Sequence, residues 1–329
     1  MSGLISTLPI CTIPLPTPWS GLKGINAYLV REDPVTLIDP GLSYEAGREA
    51  LLAGLRSVGV ALREIRRVLL THAHPDHYGL AAWIQEAAGA EVWVHPEEAG
   101  KLAEPDWYLA ARDRILADAG VPADTVRMMK YYWAEQRKLV LPLNDWLPAE
   151  HGQRFPFASG ELTAVHLPGH SLGHVAFWSA GDRLLLGGDL LLEGVTPNPL
   201  MEPLPEDHPA GAPHAPSRAL VLEQFLTSMK RLAELPIDQV LPGHGPVICD
   251  HRAIILGYQA RYQRKLDTTL QAIAGGKTAY QLTRELYPSL PDYDFFLGLS
   301  QVLAQLDLLV ATGRAAVEPG PQGSIFWAI

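Results

Sequence analysis

The chain has 329 residues, of which 47% are hydrophobic, and a formal net charge of -10. This length can hold one large domain and a small one around a real core. The charge disfavours a general nucleic-acid binder, which needs a basic surface. We interpret Cys11 and Cys249 as buried small residues, because two cysteines form no secreted disulfide framework. The N-terminus lacks signal-peptide features and no apolar run could span a bilayer, so we expect a soluble cytoplasmic protein.

The first hundred residues alternate between predicted strands and helices. Residues 4–42 are expected to form short strands and turns. Strands are predicted at Ala27–Arg31, Val35–Asp39, Val68–Leu70 and Glu91–Val94, and helices from Ser43 or Glu45 to Val58 and from Leu80 to Ala88. Strands that alternate with helices in this way are typical of an α/β domain.

The next segment, residues 98–150, has a different character. Two helices are predicted, Asp106–Ala119 and Ala123–Val140, and each has a proline near its start. Much of the aromatic content lies here: Trp107, Tyr108, Tyr131, Tyr132, Trp133 and Trp146. Two interpretations stay open, a helical hairpin whose aromatic side chains pack on the main body, and a lid whose aromatic face lines an apolar substrate pocket.

Strands resume after residue 150. They are predicted at Leu162–Leu167, Val175–Ser179, Arg183–Gly187 and Gln239–Leu241. The proline-rich segment Thr196–Pro216 predicts a surface loop that borders the site, with His208 and His214 solvated. Ser217 is expected to cap a helix that ends near Ala233.

The C-terminal residues predict a small module of helices followed by a hairpin. Its elements are helices at Ala253–Ala274, Ala279–Leu286 and Phe295–Thr312, then a hairpin of Ala315–Glu318 and Ile325–Ala328. This order suggests a winged-helix-like domain at 251–329, following a catalytic domain at 1–250. The last helix has no Lys or Arg before Arg314, whereas a DNA reader presents cations to phosphates. We therefore expect this module to have a packing role.

Four metal-ligand side chains follow the predicted strand Val68–Leu70 within six positions: His72, His74, Asp76 and His77. Residues two apart in extended backbone point the same way, so His72 and His74 can converge on one ion. Asp76 and His77 come after a proline turn and can reach a second ion. Imidazole and carboxylate groups are suitable ligands for zinc and similar cations. So many polar groups beside an apolar strand would be costly without a partner, which favours a metal site.

Four further segments end an apolar run with a ligand-type residue beside glycine or proline. They centre on Asp39, on His166, His170 and His174, on Asp189, and on His244. Each segment alone is more typical of an ordinary turn. In order with the first motif, however, the series resembles the metallo-β-lactamase-fold superfamily, whose pattern is Asp, His-x-His-x-Asp-His, His, Asp and His. The C-terminal part looks most similar to the β-lactamase-like-2 and glyoxalase II-like groups.

This resemblance implies an α/β fold, an αββα sandwich with a helical insert at 98–150 and a C-terminal winged-helix-like domain. It assigns His72, His74 and His170 to one metal, and Asp76, His77 and His244 to a second, with Asp189 bridging both. Asp39 would support the loop or a ligand histidine by hydrogen bonding, and His166 and His174 would be structural. The cofactors implied are two divalent ions, with zinc expected and iron or manganese as alternatives.

A pair of such ions lowers the pKa of a shared water towards neutrality, so that a bridging hydroxide can attack a carbonyl or phosphoryl centre. Asp76 or Asp189 would orient it and pass its proton to the leaving group. We expect a hydrolase of a small-molecule ester, thioester or lactone. An endoribonuclease or phosphodiesterase of the β-lactamase-like-2 type is the alternative, and a non-enzymatic scaffold is third. A β-lactam is not the expected substrate, and the sequence predicts no oligomeric state.

Overall fold

The computed structural model describes residues 6–19, 24–205, 208–209, 211–212, 214–291 and 294–329. Residues 1–5, which contribute to the signal-peptide expectation, lie outside this range. The strands are β1 Ile10–Leu15, β2 Ile25–Val30, β3 Thr36–Ile38, β4 Arg67–Leu69, β5 Glu91–Val94, β6 Leu147–Pro148, β7 Arg154–Phe157, β8 Gly160–His166, β9 Val175–Ser179, β10 Leu184–Gly188, β11 Gly211–Ala212, β12 Ala215–Ala219, β13 Gln239–Pro242, β14 Lys277–Thr278, β15 Ala315–Glu318 and β16 Ile325–Ala328. The helices are α1 Glu45–Ser57, α2 Pro75–Tyr78, α3 Ala81–Ala88, α4 Ala99–Ala103, α5 Asp106–Asp118, α6 Ala123–Arg137, α7 Val221–Glu234, α8 His251–Ala272, α9 Ala279–Leu286 and α10 Phe295–Ala311.

Two mixed sheets form the centre of the fold. The first has the order β1-β2-β3-β4-β5-β6, and the second has the order β13-β10-β9-β8-β7. Strands β3, β4, β5 and β6 run parallel to one another, as do β10 and β13, and the other pairs in these two sheets are antiparallel. Because successive side chains of a strand point to opposite faces, each of these sheets can bury both of its faces.

Alternate side chains do enter different apolar clusters. In β4, Leu69 packs between the sheets, whereas Val68 packs on the other face with Leu51 of α1 and Ile84 of α3. In β10, Leu186 packs between the sheets, whereas Leu185 packs on the outer side, in a cluster that includes side chains of α7 and α8. The layers are therefore helix, sheet, sheet and helix, which confirms the predicted α/β sandwich.

The proline-rich segment differs from the sequence prediction. Its described residues include β11 and β12, and Met201, Glu202 and Leu204 are buried, so it is not a simple surface loop. Ser217 lies within β12 and caps no helix, because α7 begins at Val221 after Leu220. Within β12, Arg218 is buried and pairs with Asp307 of α10 at 2.7 Å, so this stretch is fixed to the core rather than exposed as a loop.

Four side chains have surroundings that differ from those the sequence suggested. Cys249 is exposed and Cys11 is half-buried, so the expectation that both are buried is wrong. Nε2 of His214 donates a hydrogen bond to Oδ1 of Asp307 at 2.8 Å, and Nε2 of His208 lies 3.3 Å from Oε2 of Glu97. The expectation that these histidines are solvated is therefore wrong, because both are partly buried beside carboxylates.

Helix α10 is largely buried. Its residues Leu299, Val302, Leu303 and Leu306 belong to the same apolar cluster as Leu185 of the second sheet. The strand order β14-β16-β15 accompanies α9 and α10, as a helix-and-hairpin module requires, although the winged-helix assignment itself stays a prediction. The hydrophobic core thus runs across the predicted boundary at residue 250.

The helical segment 98–150 contributes to this core as well. Tyr108 is buried, and Trp133 packs edge-to-face on Phe296 at 5.3 Å. By contrast, Trp107 and Tyr131 are exposed. Packing on the main body accounts for the buried aromatic side chains, and the lid hypothesis therefore concerns the exposed ones. Among the helices of the described residues, none has both the length and the apolar character that a membrane span requires.

Candidate metal centre

The candidate ligands follow the carboxyl ends of strands from both sheets. Asp39 follows β3 and His72 follows β4, while Asp189 follows β10 and His244 follows β13. Strands β3 and β4 are parallel, and so are β10 and β13, so the ends of each pair open on one edge. His170 enters from the loop after β8. All seven candidate ligands are brought together at this edge.

The first group consists of His72, His74 and His170. Atom Nδ1 of His74 lies 2.8 Å from Nε2 of His72 and 3.1 Å from Nε2 of His170. One ligand atom from each of the three residues falls within 4.8 Å of the others. Three imidazole nitrogens that converge so closely form an arrangement that can hold a divalent cation.

The second group consists of Asp76, His77 and His244, whose ligand atoms also lie within 4.8 Å of one another. Oδ2 of Asp76 is 3.3 Å from Nε2 of His244 and 3.8 Å from Nε2 of His77. Both Asp76 and His77 lie in the short helix α2, and Pro75 at the first position of this helix favours its start.

Asp189 lies between the two groups. Its Oδ2 is 3.7 Å from Nε2 of His170 and 3.5 Å from Nε2 of His244. Its Oδ1 is 3.5 Å from Nε2 of His77. One carboxylate thus faces histidines of both groups, which is the arrangement a bridging ligand needs.

Hydrogen bonds on the outer side orient the histidine rings. Nδ1–H of His77 donates to Oδ2 of Asp39 at 2.9 Å, and Nδ1–H of His170 donates to the Asn198 carbonyl at 2.9 Å. Nδ1–H of His244 donates to the Gly24 carbonyl at 2.6 Å. Each bond leaves the Nε2 lone pair of its ring directed into the cluster, where a metal ion can accept it.

Asp39 contacts the ligand His77 directly and the ligand His72 through Thr71. Besides His77, it accepts hydrogen bonds from the Thr71 backbone N–H at 2.8 Å and from the Thr71 hydroxyl at 2.7 Å. Because this hydroxyl gives its hydrogen to Asp39, it can accept one from Nδ1 of His72, 3.0 Å away. Asp39 has a positive φ of 51°, a strained conformation for a non-glycine residue that its three contacts maintain.

Burial and charge act in opposite directions on the two groups. Burial holds the pKa of His72 and His74 well below the ordinary value, so these rings are neutral and keep their lone pairs. Burial also disfavours the charged form of His244, but Asp189 and Asp76 outweigh it and raise its pKa to about 10. The carboxylate side of the cluster therefore attracts positive charge, which a proton or a metal ion can supply.

Unpartnered atoms show that the residues present fit a metal ion. Among the described residues, Nε2 of His77, Oδ1 of Asp189 and Nε2 of His244 are buried and have no hydrogen-bond partner. Buried polar atoms without partners are costly, and coordination would satisfy all three. Gly243 packs closely against the cluster, because an added Cβ at this position would lie only 2.5 Å from Oδ1 of Asp189.

A family comparison agrees with this geometry. Residues 20–244 match the family model described as the metallo-beta-lactamase superfamily. This chain belongs to that superfamily. The match contains all seven candidate ligands, and it confirms the resemblance to the superfamily, while the resemblance to the β-lactamase-like-2 and glyoxalase II-like groups stays a prediction.

Three relatives illustrate the likeness. A probable metallo-hydrolase, YqjP of Bacillus subtilis, is 29% identical over 318 residues, which cover 93% of this chain and 94% of that protein. The solved structure of the metallo-beta-lactamase family protein TTHA1429 from Thermus thermophilus has 32% identity and a TM-score of 0.83, and covers 98% of this chain and 99% of that one. The acyl-coenzyme A thioesterase MBLAC2 of Gallus gallus is 28% identical over 67% of this chain and 72% of its own length.

The two histidines of the motif segments that are not candidate ligands have structural contacts. His174 accepts a hydrogen bond from the Asp189 backbone N–H at 3.2 Å, and His166 donates to the Leu172 carbonyl at 2.7 Å. Sequence reasoning did not identify Thr71 or Asn198 as supports of the site. Thr71 could have been suspected from its place beside His72, but the Asn198 contact is made by a backbone carbonyl, which leaves no signature in the sequence.

Proposed function

We propose that this superfamily member is a dinuclear metal-dependent hydrolase that acts on an ester, thioester or lactone of a small molecule. The observation that carries the proposal is the position of Asp189, whose carboxylate faces His170 of one group and His77 and His244 of the other at 3.5–3.7 Å. A carboxylate shared in this way supports two ions rather than one.

Divalent ions held by these residues would lower the pKa of a water towards neutrality and polarise the oxygen on which negative charge develops. Asp189 would orient that water from between the two groups. Asp76 is the proposed acceptor of its proton, at Oδ2, and would return it to the departing oxygen or sulfur. The pKa of Asp76 is lowered, because burial is outweighed by His77 and His244, and the residue is therefore ionised and able to accept.

The ligand set supports zinc as the resident metal, with iron or manganese as alternatives. Five imidazoles and two carboxylates suit borderline cations, and no thiolate is among the candidates to favour a softer ion. Elemental analysis of the purified protein, with two ions per chain expected, tests both the number and the identity of the metals.

The ester, thioester or lactone class is supported by the likeness to an acyl-coenzyme A thioesterase over two thirds of the chain. The net charge of -10 disfavours a polyanionic substrate such as RNA. The burial of α10, which would be the recognition helix of a nucleic-acid-binding winged helix, also disfavours the nuclease alternative.

Further parts of the proposal concern the rest of the molecule. Residues 251–329 would form a winged-helix-like packing module behind the catalytic domain at 1–250, and the protein would work in the cytoplasm on a freely diffusing substrate. The first proposal rests on the order of helices and strands in this module and on the burial of α10, and the second rests on sequence composition alone.

A substrate panel tests the function. Purified protein, loaded with zinc, iron or manganese, is offered p-nitrophenyl esters, lactones, acyl-thioesters, phosphodiesters and single-stranded RNA. We expect metal-dependent cleavage of the acyl substrates, a loss of nearly all turnover in Asp189→Asn, and no loss in Asp182→Asn. Asp182 is a matched control because it accepts hydrogen bonds from Ser6, Thr7 and Ser179, outside the metal centre. Cleavage of RNA alone would replace the proposed substrate class with the nuclease alternative.

A further inference from the structure

A buried carboxylate outside the ligand set contacts the loops that carry the first histidine group. Glu98 is fully buried and lies just after β5. Its Oε2 accepts a hydrogen bond from the Ala73 backbone N–H at 2.8 Å. Its Oε1 accepts one from the Gly173 backbone N–H at 2.7 Å and another from the Ser171 hydroxyl. All three partners belong to ligand-bearing loops.

The positions of these partners matter for the site. Ala73 lies between His72 and His74, and Ser171 follows His170. One carboxylate therefore joins the His72–His74 loop, after the first sheet, to the His170 loop, after the second. These two loops carry all three histidines of the first group: His72 and His74 lie on one loop and His170 on the other.

The close approach of Glu98 to the His170 loop depends on a glycine at position 173. A Cβ on Gly173 would lie 2.7 Å from Cγ of Glu98, so only glycine at this position lets the carboxylate reach the loop backbone. This contact is independent of the ligand side chains themselves, because Glu98 touches backbone and hydroxyl groups.

A buried ion-pair network compensates the charge of Glu98. Nζ of Lys101 lies 3.0 Å from Oε2 of Glu98 and 2.6 Å from Oε1 of Glu202. Burial raises the pKa of Glu202 to about 7 in spite of Lys101, whereas the pKa of Glu98 is lowered because Lys101 and Ser171 outweigh burial. A buried charge pair of this kind is retained only where its geometry is well satisfied.

We propose that Glu98 is a positioning residue of the metal centre, which holds the His72–His74 loop and the His170 loop at the separation that the first divalent ion requires. This inference rests on the proposed dinuclear site. It assigns a role in the metal centre to the first residue of the helical segment 98–150.

The substitution Glu98→Gln tests this role. Glutamine has nearly the same size but only one acceptor oxygen, so its amide N–H₂ must face one of the two backbone N–H groups that the carboxylate satisfies. One ligand loop then loses its anchor. The matched control is Asp307→Asn, the same change at another fully buried carboxylate that lies outside the histidine groups and pairs with Arg218.

The readout is zinc binding measured by competition with a chromogenic chelator, together with circular dichroism of each variant. We expect the wild type and Asp307→Asn to retain two ions at a chelator concentration at which Glu98→Gln retains one, with a ten- to hundredfold loss of affinity at one site. If Glu98→Gln does not fold, Gly173→Ala, which displaces Glu98 without removing its charge, carries the same expectation.

The outcomes separate this inference from the function on which it rests. Two ions bound with wild-type affinity in folded Glu98→Gln, or in Gly173→Ala where Glu98→Gln does not fold, would overturn the positioning role and leave the dinuclear site intact. A wild-type protein that binds fewer than two ions would instead overturn the dinuclear site. An equal loss of zinc from Asp307→Asn would show that general destabilisation explains the effect, and would also overturn the positioning role.

Discussion

Replacing Asp39 by asparagine should weaken metal binding although Asp39 is not a proposed ligand. The carboxylate accepts three hydrogen bonds, from the Thr71 N–H, the Thr71 hydroxyl and Nδ1–H of His77. Asparagine tolerates the positive φ at this position. Its amide oxygen can still accept from the Thr71 N–H, but its N–H₂ group would face His77.

His77 must then change its tautomer. If Nδ1 accepts a hydrogen bond from the asparagine, the ring hydrogen moves to Nε2, which faces Asp189 and Asp76. Nε2 of His77 then carries a hydrogen and has no lone pair to offer the second ion. Removal of such outer contacts lowers metal affinity ten- to hundredfold, which corresponds to about 1.4–2.7 kcal/mol.

The assay is the same chelator competition, followed by denaturant unfolding of the metal-free proteins. We expect the free energy of metal binding to change more than the free energy of unfolding of the metal-free form. The latter should change by about 1 kcal/mol. Asp182→Asn makes the same chemical change at a carboxylate that accepts hydrogen bonds from Ser6, Thr7 and Ser179, away from the cluster. Wild-type metal affinity in a folded Asp39→Asn variant would refute the reasoning.

Three further predictions concern Gly243, the bound metal and Asp307. Gly243→Ala should lower turnover at least a hundredfold with the fold retained, because the new Cβ would lie 2.5 Å from Oδ1 of Asp189. Steady-state kinetics and metal content check it against Gly181→Ala, the same change at a glycine where an added Cβ meets no neighbour within 4 Å and φ is not positive. Removal of metal should lower the thermal midpoint, since an ion present at 1,000 times its Kd stabilises the folded state by about 4 kcal/mol; a midpoint unchanged by chelation contradicts this. Asp307→Asn should destabilise the fold by about 3 kcal/mol, because it leaves Arg218 buried without its main counter-charge. The pKa of Asp307 is lowered, because Arg218 outweighs burial, so its stabilisation is present above about pH 4 and is lost as the pH falls; urea unfolding should show the difference between wild type and variant shrinking in acid.

The first four candidate ligands were predictable because their signals are local, whereas His170, Asp189 and His244 were assigned only through the family resemblance. His72, His74, Asp76 and His77 lie in one short stretch, and a strand end places its neighbours at one edge of a sheet. The extended strands of the core were predictable for the same reason, since their apolar runs are continuous. Strand β9 and helix α9 have the predicted bounds, Val175–Ser179 and Ala279–Leu286.

Long-range polar contacts were not predictable. Arg218 and Asp307 are 89 residues apart, and nothing near Arg218 indicates that it will be fully buried. The proline-rich composition pointed to a loop, whereas this pairing holds β12 against the C-terminal helices. Glu98 is similar, because its partners are backbone N–H groups, and one glutamate within Pro-Glu-Glu gives no signal of its own.

These contacts also change how the lid hypothesis should be tested. Deleting residues 98–150 would remove Glu98 and the core residues Ile115, Leu116 and Met129, so lost activity would not distinguish a lid from a structural support. Trp107 offers a cleaner test, because it is 39% exposed and lines a cleft of about 240 Å³ that reaches Leu172, two residues after His170.

If the aromatic face contacts substrate, Trp107→Ala should raise KM on the best acyl substrate while kcat and metal content stay close to wild type. Tyr131→Ala is the matched control, because Tyr131 lies in the same helical segment, is 62% exposed and is not among the residues lining that cleft. A truncation that removes apolar contact from bound substrate costs about 1–3 kcal/mol, or ten- to two-hundredfold in kcat/KM. Equal KM values for both variants and the wild type would remove the lid hypothesis, because the exposed aromatic side chain of the cleft would then have no part in holding the substrate.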